Sequence, residues 1–179
     1  MEERDKMDEN GQDPHRQQRL YWDQMYALKT AASAIRLYRN NLNRWVTGLG
    51  ALKAIVSCGG IAAWTIWRQY AFVWGALIAA SQLADALKDV FPFAKLHKAA
   101  CAHAVTLNNL FIDTQLEWES VFSGRYSDEE IVKRLHQLRK LQLEAESHDF
   151  PDGLSMRKSL LDRAKQDAVD YLASTYDVK

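Results

Sequence analysis

The sequence is short of the features that mark turn-rich, disulfide-bound or nucleic-acid-binding proteins. Three prolines (Pro14, Pro92 and Pro151) and eight glycines among 179 residues are too few for an all-β chain. Two cysteines, Cys58 and Cys101, cannot build a disulfide framework and read as small packing residues in a reducing compartment. Neither sign of charge is in excess: 23 Lys plus Arg balance 23 Asp plus Glu, which argues against a nucleic-acid partner. The opening MEERDKMDENGQDPHRQQR lacks the apolar run of a secretory signal peptide, and residues 1–15 read as a disordered tail. The largest deficit is local. Between Trp45 and Ala94 the only charges are Lys53, Arg68, Asp85, Lys88 and Asp89, while both flanks are densely charged.

What is present is helical periodicity. Tyr21, Met25, Leu28, Ala32, Ile35 and Leu42 recur at spacings of three, four or seven, which predicts an amphipathic helix over about 16–44. The charge-poor block then offers WVTGLGALKAIVSCGGIAAWTIW over 45–67 and AFVWGALIAASQLADAL over 71–87. The first is long enough for the ~20 helical residues that a bilayer core needs. Small residues repeat every fourth position: Gly50, Ala54, Cys58 and Ala62 on the first segment, Ala76, Ala80 and Ala84 on the second. Such stripes let helices approach closely. Trp64, Trp67, Tyr70 and Trp74 cluster about the intervening turn, as in an interfacial aromatic belt.

These features predict an all-α protein with a two-transmembrane hairpin over 45–94, preceded by an amphipathic helix and followed by a cytoplasmic helical region over 95–179. Basic residues flank the hairpin's two ends, Lys29, Arg36, Arg39 and Arg44 before it and Lys88, Lys95 and Lys98 after it, against Arg68 alone at the turn. The positive-inside rule then expects a multi-pass inner-membrane protein with both termini in the cytoplasm and the lipid bilayer as a partner. Two buried helices of a bundle are the competing reading, against which four glycines weigh at ~1 kcal/mol each.

Downstream, Ala104, Leu107, Phe111 and Trp118 belong to a heptad-like seam suited to self-association. Ser123–Tyr126 breaks it. Ser127 and Glu130 then carry a capping-box signature, and Ile131, Leu135 and Leu138 line the helix behind it. A final helix from about Ser155 presents Leu160, Leu161, Ala164, Ala168, Tyr171 and Leu172.

No phosphate-binding, dinucleotide-binding or nucleophile-elbow motif is present, so no catalytic or cofactor-binding residue and no enzymatic activity is expected. His97, Cys101 and His103 are the nearest approach to a metal site, but only the first two share a helix face and a zinc ion needs more converging ligands. Asp128, Glu129 and Glu130 sit where acids favour a helix N-terminus. The two charges well inside the apolar segments are Lys53 and Asp85. In a hairpin turning about Gln69 they stand sixteen residues either side of the turn, ~24 Å along each helix, at matching depth: either they pair or line a polar path, or Lys53 snorkels and Asp85 sits in the headgroup zone.

The order of these parts resembles the SLATT family, two-transmembrane effectors associated with SMODS nucleotidyltransferases and SLOG domains in bacterial conflict systems. The resemblance covers about Arg16 to His148: the helix with Ala31-Ala32-Ser33-Ala34 and Arg36/Arg39, the hairpin, and the seam through Trp118. It implies an oligomeric effector that opens a pore or disrupts the inner membrane when a sensor or nucleotidyltransferase-linked partner triggers it. A non-catalytic membrane anchor and a helical interaction module recruiting another protein are the alternatives.

Overall fold

The structure is a computed structural model that describes residues 15–66, 71–86 and 93–176; at 56, 58–66, 71, 74 and 84 it describes the backbone alone. Five helices account for most of these residues: α1 (Arg16–Ile66), α2 (Ala71–Ala86), α3 (Phe93–Phe122), α4 (Asp128–Asp149) and α5 (Lys158–Tyr176). The expected tail over 1–15 lies, apart from His15, outside the described residues. The expected boundary at 44/45 is not a break, because α1 runs through it for 51 residues. No proline falls between Pro14 and Pro92, and a change from polar to apolar composition does not interrupt a backbone hydrogen-bond ladder.

The two-transmembrane hairpin is overturned. No described helix is both long and apolar enough to cross a membrane. The two requirements fall on different helices. Helix α1 has the length, but over its 51 residues it is of mixed polar and apolar composition. Helix α2 is apolar but has 16 residues, ~24 Å of rise against a ~30 Å hydrocarbon core. The multi-pass inner-membrane placement, with both termini in the cytoplasm, loses its basis for the same reason. A pore needs spanning helices, and none of the described helices supplies one.

The chain divides into two compact units, one of Met1–Leu37 with Cys101–Lys179 and the other of Tyr38–Ala100. The first unit is a four-helix bundle of the N-terminal part of α1, the C-terminal part of α3, and α4 and α5. Tyr21, Met25, Leu28 and Ile35 of α1 are fully buried, as are Val121 of α3 and Ala164 and Ala168 of α5. Each large apolar side chain withdrawn in this way contributes ~1.5–3 kcal/mol. Tyr21, Val121, Ile131, Leu135 and Leu138 form one contiguous cluster that joins α1, α3 and α4. Helix directions follow from the contacts. Tyr21 meets Glu117 and Lys29 meets Phe111, so α1 and α3 run antiparallel. Arg134 reaches Glu117 while Asp149 reaches His103, so α4 opposes α3. Arg36 pairs with Asp167 and Trp22 with Tyr176, so α5 opposes α1.

The turn from α3 to α4 is built from both termini. Gly124 has φ +70°, its N–H donates to the Val121 carbonyl (3.2 Å), and the Arg125 N–H donates to that of Ser120 (3.0 Å). This is the Schellman arrangement, whose left-handed position favours glycine. Ser127 then opens α4: its hydroxyl accepts from the Glu130 N–H, and the Glu130 carboxylate accepts from the Ser127 N–H at 2.8 Å. The Ser127 N–H and, after it, the Ser127 hydroxyl, which donates to the same carboxylate at 2.9 Å, hold the Glu130 carboxyl below its ordinary range.

The second unit contains the rest of α1, all of α2 and the start of α3. Trp45 stacks on Phe93 at 6.3 Å, and Lys53 pairs with Asp85. Both contacts are centred in sequence on Gln69, so the segments run antiparallel. Leu42 and Ala100 are its buried apolar side chains among the described residues.

Candidate functional site

Lys53 and Asp85 are brought together: the Lys53 ammonium donates to Asp85 Oδ1, with the side chains 32% and 50% exposed. At that exposure the pair is a surface ion pair, worth little to stability. The small-residue stripes face outward. Gly50, Ala54, Ala76 and Ala80 are exposed, and nothing lies within 4 Å of where a Cβ at Gly50 would stand. The side chains of Cys58, Ala62 and Ala84 lie outside the described residues.

The outer face of α2 carries a second pattern. Phe72, Ala76, Ala79 and Leu83 follow one another at spacings of four, three and four, and all are exposed, Phe72 at 88% and Leu83 at 61%. Asp85 is the single charged residue on this helix, and Lys53 already neutralises it. A charge-free seam at this spacing is the pattern by which one helix packs against another.

The expected seam on α3 is used within the chain. Leu107 and Phe111 are each 2% exposed, with Phe111 edge-on to Tyr171 of α5 at 5.7 Å. Ala104 is half-buried, and Trp118 packs against Tyr21 and Trp22. Lys29 places its ammonium 3.4 Å from the centre of the Tyr171 ring and 4.8 Å from that of Phe111. Burial and, behind it, the Arg36 charge lower its pKa, while the two ring faces favour the charged form.

His97, Cys101 and His103 do not converge on a metal, and no cluster of three metal-ligating side chains occurs among the described residues. His103 instead turns into the bundle at 4% exposure and donates through Nδ1 to Asp149 Oδ2 (3.0 Å), edge-on to Phe150. His148 donates to the other oxygen of that carboxylate (2.9 Å). Partners 46 residues apart leave no trace in local sequence patterns.

A concavity of the bundle, about 800 Å³, also escaped sequence reasoning. It opens at the end of the first unit, where α1 begins and α3 and α5 finish, and Trp22, Trp118, Phe122 and Tyr176 wall it. Trp22 lies 5.1 Å from Trp118 and 5.4 Å from Tyr176, and Trp118 lies 5.9 Å from Phe122. A sequence signal existed: each tryptophan is followed by an acid, Asp23 on α1 and Glu119 on α3, and both acids line the groove. No protein-family model, curated protein or solved structure matches the chain.

Proposed function

We propose that the chain is a non-catalytic helical interaction module that self-associates through the second unit and leaves the four-helix bundle to engage other molecules. The exposed seam Phe72–Ala76–Ala79–Leu83 carries this reading. Large contiguous apolar surfaces on water-exposed proteins mark interaction sites. A second copy is the occupant that fits. The exposed small residues on α1 and α2 allow close helix approach, and zero net charge removes the self-repulsion that keeps many proteins apart. The SLATT resemblance contributes a class of partner for the bundle, a sensor or nucleotidyltransferase-linked protein. Light scattering from the purified full chain tests the self-association. A mass at a multiple of 20.5 kDa is expected, and a monomer at tens of micromolar contradicts it.

A further inference from the structure

The groove at the end of the bundle has walls of one chemical kind and a rim of another. Its walls are ring faces and edges from three helices: Trp22 of α1, Trp118 and Phe122 of α3, and Tyr176 of α5. Phe122 is 71% exposed, an aromatic surface left in water at the mouth. Most of the polar groups that line the groove are already engaged. Gln18 donates to the Val121 carbonyl (3.1 Å), and Gln115 donates to the Tyr176 hydroxyl (3.3 Å) and accepts from that of Tyr171 (3.4 Å). Arg19 and His15 also have partners.

Asp23 and Glu119 differ. Both are exposed at the groove, and among the described residues neither carboxylate takes part in an ion pair or a side-chain hydrogen bond. Against the single guanidinium on the lining, that of Arg19, these two carboxylates leave the surroundings of the aromatic rings net negative. The ring faces carry negative quadrupole potential and attract cations, most strongly when water is partly excluded. Volume sets the remaining constraint. About 800 Å³ is far more than a bare ammonium group fills and lies within the range of small-molecule sites.

We infer that this groove is a binding site for a small organic cation, an alkyl- or arylammonium compound whose apolar body lies between Trp22, Trp118 and Tyr176 and whose charged head faces Asp23 and Glu119. The site lies wholly within the first unit and does not depend on self-association through the second.

Benzyltrimethylammonium is a suitable probe, with benzyl alcohol as a neutral comparison and phenylacetate as an anionic one. Titration into the full chain labelled with 5-fluorotryptophan, followed by fluorine resonance, reports Trp22 and Trp118 directly. The cation is expected to shift both resonances saturably and to bind at least about tenfold more tightly than the neutral compound, with phenylacetate weaker still. The double variant Asp23→Asn/Glu119→Gln alters two exposed side chains and leaves the bundle core intact. It is expected to lose that preference while still admitting the neutral compound. Trp118→Phe, a milder change than removal of the ring, is expected to weaken the cation and retain the helical circular dichroism. Equal affinity for cation and neutral compound, or an unchanged preference in the double variant, overturns the inference. So does a cation response confined to tryptophans other than Trp22 and Trp118.

Discussion

The two units are made of the same kind of helix and differ in what each does with its apolar residues. In the first, α1, α3, α4 and α5 turn Tyr21, Leu28, Val121, Ile131 and Ala168 inward, and the charged residues lie outside or form cross-links such as Arg36–Asp167. In the second, α2 has nearly all its described side chains at the surface, Ser81 buried and Leu77 half-buried. An amphipathic helix satisfies its apolar face within its own bundle. A helix that is apolar all round has more such surface than one neighbour can cover. Composition therefore separates a unit with an extensive buried core from one whose α2 leaves most of its described apolar side chains exposed.

The largest expected effect sharpens that contrast. Ile131→Ala opens a cavity in the first unit's core and should cost ~2–5 kcal/mol in urea unfolding, at any protein concentration. Leu83→Ala removes an exposed side chain, and its cost should appear only at concentrations where the chain associates. A concentration-independent loss for Leu83→Ala would place that residue in a monomer core and break the contrast.

The capping box gives a smaller, pH-dependent effect within the first unit. The Glu130 carboxyl has a folded-state pKa below its ordinary 4.5, owing first to the Ser127 N–H and then to the Ser127 hydroxyl. Its contribution is therefore present above about pH 4.5 and lost as pH falls through the lower folded-state value. Ser127→Ala should cost ~0.5–2 kcal/mol at neutral pH. Thermal unfolding of Glu130→Gln should follow a flatter pH profile than wild type over the acidic range. Parallel profiles would remove the box as the cause.

The smallest effect is expected at Lys53 and Asp85, the most conspicuous charges in the sequence. With both partners substantially exposed, Lys53→Leu and Asp85→Leu should each change the stability of the isolated chain by no more than ~1 kcal/mol, less in high salt. A loss of several kcal/mol in either single variant would show that association buries the pair.

How far the sequence could be read follows the range of each interaction. The stripe from Tyr21 to Ile35, the Ser127–Glu130 box and the break at Gly124 are local patterns, and the structure has all of them. The Lys53–Asp85 pairing was legible because an antiparallel hairpin fixes which residues share a level. The membrane spans were read from two apolar runs in the sequence, whereas no described helix is both long and apolar enough to cross a membrane. The groove was not legible, since its four rings come from three helices and meet only after the bundle closes. The His103–Asp149 bond was hidden for the same reason.

The proposal that copies of the chain meet through the α2 seam is tested most directly by a pair of charge insertions. Phe72→Glu places a carboxylate in the α2 seam, while Leu143→Glu does so at a comparably exposed apolar position on α4, 67% against 88%. Sedimentation velocity of both variants beside the wild-type chain should show the α2 variant dissociating to a 20.5 kDa species and the α4 variant retaining the wild-type mass. Equal masses for all three proteins, or dissociation by Leu143→Glu alone, would contradict it.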